Sequence, residues 1–184
     1  MAITIDATPN GANANSYLTL ADAQLIVDGM VQDADVTAWA AATTDSKNRA
    51  LYTATQRLDR ERFIGARSTD TQALQWPRTG VRKPDTYINT YAIGFPFRIT
   101  TDYYTDTEIP DQIKKAQVML AVYLNNNVDG LGLTGLEDFK NVKVGSLDVT
   151  PSQSMGADKI PPLVERYMIG LRISGPGNFA IRRS

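Results

Sequence analysis

Residues Ile109–Asn126, IPDQIKKAQVMLAVYLNN, form the stretch that decides the architecture of this chain. They predict a helix in which a proline takes the first position and Asp111 lies beside the positive end of the helix dipole. The segment Val118–Leu124 is apolar on every side, which is typical of a buried helix. Such a helix lies either at the centre of its own bundle or between two subunits, and both arrangements stay open here.

Further helices are predicted on both sides of this stretch. Hydrophobic spacing and capping residues place them from Leu20 to about Gly29 (with Thr19 as cap), from Val36 to Thr43 (with Asp35 as cap), from about Thr44 to about Glu61, and from Pro161 onward. The last helix has an apolar stripe made of Leu163, Val164, Tyr167, Met168 and Leu171. We predict a mainly α fold, a small bundle of four to five helices with a β-hairpin and an extended aromatic arm.

In three segments apolar and polar residues alternate, which is the pattern of an extended chain. Residues Ala2–Ala7 predict a short edge strand, and Lys140–Thr150 predicts a hairpin that turns at Gly145-Ser146. A lone hairpin is marginal in water, so its edges need Ala2–Ala7, the aromatic arm or another copy of the chain as a partner. The aromatic arm, residues 84–108, packs either on its own core or on a neighbouring subunit.

Composition excludes several classes of function. The 184 residues fit one domain and include neither cysteine nor histidine, which removes disulfides, thiolate or imidazole metal sites and a conventional Ser-His triad. We therefore expect no enzyme, no cofactor and no metal. We find no signal peptide and no apolar run long enough to span a bilayer, so no membrane partner is expected. The formal net charge of -1 also argues against polyanion binding by bulk charge.

Arginine nevertheless concentrates in one part of the chain. The segment Leu51–Gly80 begins as a basic amphipathic helix and ends in a Trp-Pro-Arg-Thr-Gly corner, in which Gly80 suits a positive φ. Trp76 is interpreted as a core residue. The arginines either contact DNA backbone or a partner's acidic residues, or pair with nearby carboxylates of Asp59, Glu61 and Asp70. They are Arg57, Arg60, Arg62, Arg67 and Arg78.

The C-terminal residues differ from an ordinary polar end. After a glycine-proline hinge, Phe179 and Ile181 alternate with other residues and are followed by Arg182 and Arg183. An apolar anchor with paired arginines is typical of a peptide that docks by strand addition or groove insertion. Plain disorder is the alternative for this tail.

An ordered set of short motifs resembles one protein family. It comprises Ser16-Tyr17-Leu18, Trp39-Ala40-Ala41-Ala42, Leu58-Asp59, Ile64-Gly65-x-Arg67, Gln72-Ala73-Leu74-x-Trp76-Pro77-Arg78, Ile109-Pro110, and Val144-Gly145-Ser146-Leu147. Together these motifs resemble the head–tail connector (adaptor, or head-completion) proteins of tailed bacteriophages. Some members of that group are labelled DnaT-like single-stranded-DNA-binding proteins.

The resemblance implies a structural virion protein located at the head–tail junction and assembled in the host cytoplasm. It implies a dodecameric ring beneath the portal protein that joins the capsid to a downstream tail or neck protein, with DNA passing through without sequence-specific contact. Residues 1–174 would form one connector domain, with 84–108 as an inserted arm, 139–150 as the hairpin and 175–184 as the docking tail. The predicted portal-binding residues are Phe179, Ile181, Arg182 and Arg183. The predicted subunit interface comprises Tyr91, Phe95, Phe97, Val142, Val144, Leu147 and Val149.

The alternative function is a single-stranded-DNA-binding module that acts in phage DNA replication or packaging. In that case, and also in a connector, Arg57, Arg60 and Arg67 are the candidate contacts to DNA or to an acidic partner. A tail-terminator or chaperone role in the same particle is a third hypothesis.

Overall fold

The structure is a computed structural model that describes residues 3–83, 102–127 and 160–173, and the backbone of 142–144 and 147–149. Within these residues the fold is mainly α with a small antiparallel hairpin, as the sequence predicts. The described helices are α1 (Leu20–Asp28), α2 (Ala34–Ala41), α3 (Thr44–Leu58), α4 (Asp111–Asn126) and α5 (Pro162–Tyr167). The described strands are β1 (Ala66–Arg67), β2 (Arg78–Thr79), β3 (Val142–Val144) and β4 (Leu147–Val149).

Helix α4 is the centre of the bundle. It packs against α3, α2, α5 and α1, and its residues Ile113, Val118 and Leu120 are fully buried. Val118 and the residues Leu120–Val122 are therefore covered within one molecule, which places this helix at the centre of its own bundle, while Met119, Tyr123 and Leu124 are half-buried. None of the helices in the described ranges is long and apolar enough to cross a membrane.

Local hydrogen bonds fix where the first three helices begin. Thr19 Oγ1 accepts the N–H of Asp22 at 3.1 Å, and Thr43 Oγ1 caps α3 in the same way. Helix α2 begins earlier than predicted, because Asp33 and not Asp35 is its cap. Asp33 Oδ1 accepts the N–H of Val36 at 2.8 Å, and Asp35 lies in the first turn, where its charge suits the helix dipole.

The N-terminal residues form no strand over 3–7, so the predicted edge strand is wrong there. Side-chain amides take the backbone groups that a neighbouring strand would have bound. Asn15 accepts the N–H of Asp6 at 2.8 Å and donates to Thr4 O at 2.9 Å. Asn48 on α3 donates to Ile3 O at 2.9 Å. The segment is therefore fixed to the bundle without a sheet.

The last helix is shorter than predicted, since α5 ends at Tyr167. Val164, Met168 and Leu171 are buried, but Leu163 is 51% exposed, so its assignment to the apolar stripe is wrong. Successive helical residues are turned by about 100°, which places Leu163 away from the face that Val164 buries. Beyond α5 the chain returns to the bundle, where Ile173 donates its N–H to Arg62 O at 2.7 Å.

The two pairs of strands are both antiparallel. In the first, Ala66 faces Thr79 and Arg67 faces Arg78. In the second, Val142 faces Val149 and Val144 faces Leu147, which confirms the hairpin around Gly145-Ser146. Among the described strands, β3 and β4 pair only with each other. Only their backbone is described, so the interface role of Val142, Val144, Leu147 and Val149 stays a prediction.

Candidate nucleic-acid interface

The arginine-rich segment of residues 59–83, which we name the arginine corner, is built on a buried tryptophan. The Trp76 side chain is 1% exposed, so the interpretation of it as a core residue is confirmed. Its ring meets Phe63 edge-on at a centroid distance of 5.6 Å and Tyr104 edge-on at 6.3 Å. The Trp76-Pro77 peptide bond is cis. The corner thus shares one aromatic cluster, made of Phe63, Trp76 and Tyr104, with the segment that begins at residue 102.

Arg78 is part of the architecture of the corner. Its guanidinium donates to Gly65 O at 2.6 Å, Ile64 O at 2.8 Å and Phe63 O at 3.2 Å, and also to the backbone and side chain of Gln75. Burial first, and then the positive charge of Arg67, lower the pKa of Arg78 from its ordinary value. A guanidinium enclosed in this way is not a DNA contact, so Arg78 leaves the set of candidates.

Asp59 is likewise turned inward. Its Oδ1 accepts the hydroxyl of Tyr17 and, at 3.4 Å, the backbone N–H of Gln75. Burial raises the pKa of Asp59 above its ordinary value, although both hydrogen bonds oppose that shift. Burial and then the negative charge of Asp59 raise the pKa of Tyr17 well above its ordinary value. This carboxylate is therefore engaged by Tyr17 and Gln75 and forms no ion pair with an arginine of the corner within the described residues.

The other arginines of the corner, and Arg57 just before it, are nearer to solvent. Arg57 is half-buried in the last turn of α3, and Arg60 is exposed just beyond that helix. Arg62, Arg67 and Arg82 are exposed, and none of them forms an ion pair within the described part of the chain. Within the described residues the guanidinium of Arg67 makes a long contact to Gln72 O, at 3.5 Å, and its charge acts weakly on Asp59. Three guanidinium groups are thus available to an external anion.

An exposed aromatic side chain lies beside one of these arginines. The guanidinium of Arg82 lies 6.0 Å from the ring centroid of Tyr103, which is 41% exposed. Sequence reasoning missed this pair because no local pattern joins Arg82, just before the aromatic arm, to Tyr103, near the end of that arm. Lys83 lies over the ring of Tyr104 at 5.4 Å, but its ammonium is also 3.2 Å from Glu108. The hydrogen bond to Glu108 raises the pKa of Lys83.

Charge is divided unevenly along the chain. Between Ile3 and Ser46 there are six aspartates and no lysine or arginine. Between Arg57 and Lys83 there are seven basic and three acidic side chains. Two of those acids are already engaged, Asp59 with Tyr17 and Glu61 with Arg172 at 3.1 Å. The region that suits a polyanion is therefore the arginine corner and not the end formed by α1 and α2.

Several predicted contacts fall outside the described residues. These are the tail residues Phe179, Ile181, Arg182 and Arg183, and the arm residues Tyr91, Phe95 and Phe97. Among the described residues no group of three His, Cys, Asp or Glu side chains could hold a metal ion.

The exposed side chains of the corner suit one kind of chemistry. Its guanidinium groups can bind an anion, and Tyr103 offers an aromatic ring beside them.

The family model described as "Putative DnaT-like ssDNA binding protein" matches residues 1–183 of the chain. The chain belongs to this family. No curated protein and no solved structure matches it. Membership in the DnaT-like family agrees with the label that the motif resemblance carried, and the match covers the helical bundle and the arginine corner together.

Proposed function

We propose that this DnaT-like protein binds single-stranded DNA through the exposed arginines of the arginine corner. The observation that carries the proposal is the contrast between Arg78, whose donors all face carbonyls and Gln75, and Arg62, Arg67 and Arg82, which are exposed without an ion pair in the described ranges. A guanidinium binds phosphate oxygens in a bidentate geometry, so these three groups fit a nucleic-acid backbone.

Binding of this kind would be independent of sequence. Arginine contacts to phosphates carry no base information, and their strength falls with salt because bound counterions are released. The six aspartates between Ile3 and Ser46 would repel a polyanion and so orient it toward the corner. Arg57 and Arg60 would extend the same basic surface toward α3.

Fluorescence anisotropy with a labelled oligothymidine, measured over a series of salt concentrations, tests the proposal. Changing Arg62, Arg67 and Arg82 together to glutamine should reduce the magnitude of the slope of log K against log salt by about 2, since each contact to a single strand contributes about 0.7. Arg166→Gln removes an exposed arginine of α5 and should leave the slope unchanged. An equal slope in the triple variant and the parent would contradict the proposal.

A second candidate is the connector role, and exposed apolar side chains favour it. Leu163, Ile169 and Ile173 are 51%, 76% and 50% exposed, although all three are large aliphatic residues. Neighbouring exposed apolar residues are typical of surfaces that contact another protein. These residues directly precede the tail in which Phe179, Ile181, Arg182 and Arg183 are the predicted portal contacts.

The mass of the protein, alone and mixed with portal protein, tests this second candidate. A connector should form a complex with portal, and both deletion of residues 175–184 and Ile169→Ser should weaken that complex. Ile169→Ser should leave the salt slope for oligothymidine unchanged, because it removes no positive charge. If the protein and the portal remain separate at every concentration, the connector role is wrong.

A further inference from the structure

Tyr103 is held in a fixed position at the edge of the arginine corner. Residues 81–83 run antiparallel to 102–104: Tyr104 donates its N–H to Val81 O at 3.0 Å, and Lys83 donates its N–H to Asp102 O at 2.9 Å. Arg82 and Tyr103 face each other as the bridge between these hydrogen bonds. The residues on both sides of Tyr103 are therefore hydrogen-bonded to residues 81–83.

This antiparallel ladder between residues 81–83 and 102–104 also explains which of the two neighbouring tyrosines is exposed. Side chains alternate between the faces of an extended chain, so Tyr103 and Tyr104 point in opposite directions. Tyr104 points inward against Trp76 and is 8% exposed, while Tyr103 is 41% exposed. The fold thus uses one tyrosine for its core and presents the other to solvent.

We infer that Tyr103, supported by Arg82, is a base-stacking residue through which the arginine corner selects unpaired bases. This inference rests on the proposed binding of single-stranded DNA. An aromatic ring with an arginine beside it is the combination that stacks a base while the guanidinium meets the backbone. A base inside a duplex already has both faces covered by its neighbours, so this contact is open only to a single strand.

The neighbouring cation–π pair shows what a purely structural role looks like in the same ladder. Lys83 lies over Tyr104, but Tyr104 is buried against Trp76 and Lys83 is engaged by Glu108. Arg82 and Tyr103 differ on both counts, because both side chains are exposed and Arg82 makes no ion pair within the described residues. Exposure and the lack of an ion pair in the described ranges therefore suit Arg82 and Tyr103 to ligand binding, whereas Lys83 and Tyr104 stabilise the fold.

The test compares two oligomers of equal length and charge, oligothymidine and its abasic counterpart, and measures their affinity for three proteins. The parent should bind oligothymidine more tightly than the abasic oligomer. Tyr103→Leu should lose at least about fivefold in affinity for oligothymidine and bind the abasic oligomer as the parent does. Tyr103→Phe keeps the ring and should match the parent on both oligomers.

Each other outcome has a distinct meaning. If the parent binds both oligomers equally, or if Tyr103→Leu binds oligothymidine as the parent does, stacking is refuted while DNA binding through arginine stands. If Tyr103→Leu weakens both oligomers equally, the ring acts through the fold and the inference is again wrong. If the parent binds neither oligomer at low salt, the proposed function itself fails. The comparison of oligomers on the parent needs no variant, so it holds even if Tyr103→Leu folds poorly.

Discussion

The backbone N–H of Tyr17 donates to Oε1 of Gln117 at 3.0 Å, although the two residues lie 100 positions apart. Gln117 is fully buried in the middle of α4. Its Nε2 lies 2.7 Å from Ser16 Oγ, 2.8 Å from Thr55 Oγ1 and 3.2 Å from Leu51 O. One side-chain amide therefore joins the N-terminal segment and α3 to the central helix.

Replacing Gln117 with leucine should lower the free energy of unfolding by at least about 1–3 kcal/mol, because it leaves the buried N–H of Tyr17 without an acceptor. Urea denaturation followed by circular dichroism measures this change. Gln56→Leu makes the same chemical change at an exposed position of α3 and should have little effect. Equal stability of the two variants would show that the buried amide contributes nothing net.

Gly65 and Gly80 provide a comparison of backbone strain with steric overlap. Both have a positive φ, 76° and 75°. A Cβ on Gly80 would meet nothing within 4 Å, whereas on Gly65 it would overlap Thr79 O and lie 2.7 Å from Val81 Cγ2. Gly80→Ala should therefore lower the free energy of unfolding by about 1–2 kcal/mol, because the alanine must adopt a left-handed backbone conformation.

Gly65→Ala should cost clearly more, since the pairing of β1 with β2 must open to admit the methyl group. Thermal unfolding of the two variants measures the difference. If Gly65→Ala melts at the same temperature as Gly80→Ala, the close approach of Gly65 to Thr79 is not part of the stable fold.

The hydroxyl of Tyr17 should make stability fall at alkaline pH. Burial and Asp59 raise the pKa of this hydroxyl in the folded protein. The stabilisation from the protonated hydroxyl is therefore complete below the pKa of the unfolded state, about 10, and is lost as the pH rises through the pKa of the folded state. Tyr17→Phe removes a hydrogen bond to a carboxylate and should cost about 1.5–3 kcal/mol near pH 8.

The difference in unfolding free energy between the parent and Tyr17→Phe should shrink above about pH 10, where only the parent has this hydroxyl to ionise on unfolding. Urea titrations at pH 8 and at higher pH measure it. Tyr52→Phe, which makes the same chemical change at a position on α3 that is 36% exposed, is the matched control variant. A difference that stays constant with pH would contradict the inward role of this hydroxyl.

Substitutions of Arg78 and Arg67 should have different effects, the first on stability and the second on oligothymidine binding. Arg78→Met leaves the carbonyls of Phe63, Ile64 and Gly65 without their donor, and should lower the unfolding free energy by at least about 1.5–3 kcal/mol. Arg67→Met should leave the unfolding free energy within about 0.5 kcal/mol of the parent. It should weaken oligothymidine binding, which anisotropy measures. The opposite pattern would reverse the roles assigned to the two arginines.

The sequence by itself determined the helical elements, because their signals are local. The cap Thr19 acts on a residue three positions away, and the apolar stretch Val118–Leu124 belongs to a segment that the proline start and Asp111 mark as a helix. Errors arose where a partner was non-local. The alternation in 3–7 suits a strand, but the amides of Asn15 and Asn48 took its backbone groups. Leu163 lies within α5 but is 51% exposed, because it is turned away from the face that Val164 buries against the bundle.

The tertiary structure alone decided which arginines are architectural and which face solvent. Arg67 and Arg78 are the same residue type in one short segment, and only the positions of the surrounding carbonyls make Arg78 part of the core. Likewise, only the ladder between 81–83 and 102–104 brings Tyr103 to Arg82. Spacing along a chain encodes the periodicity of an element, but burial and charge pairing depend on which distant segments the fold places together.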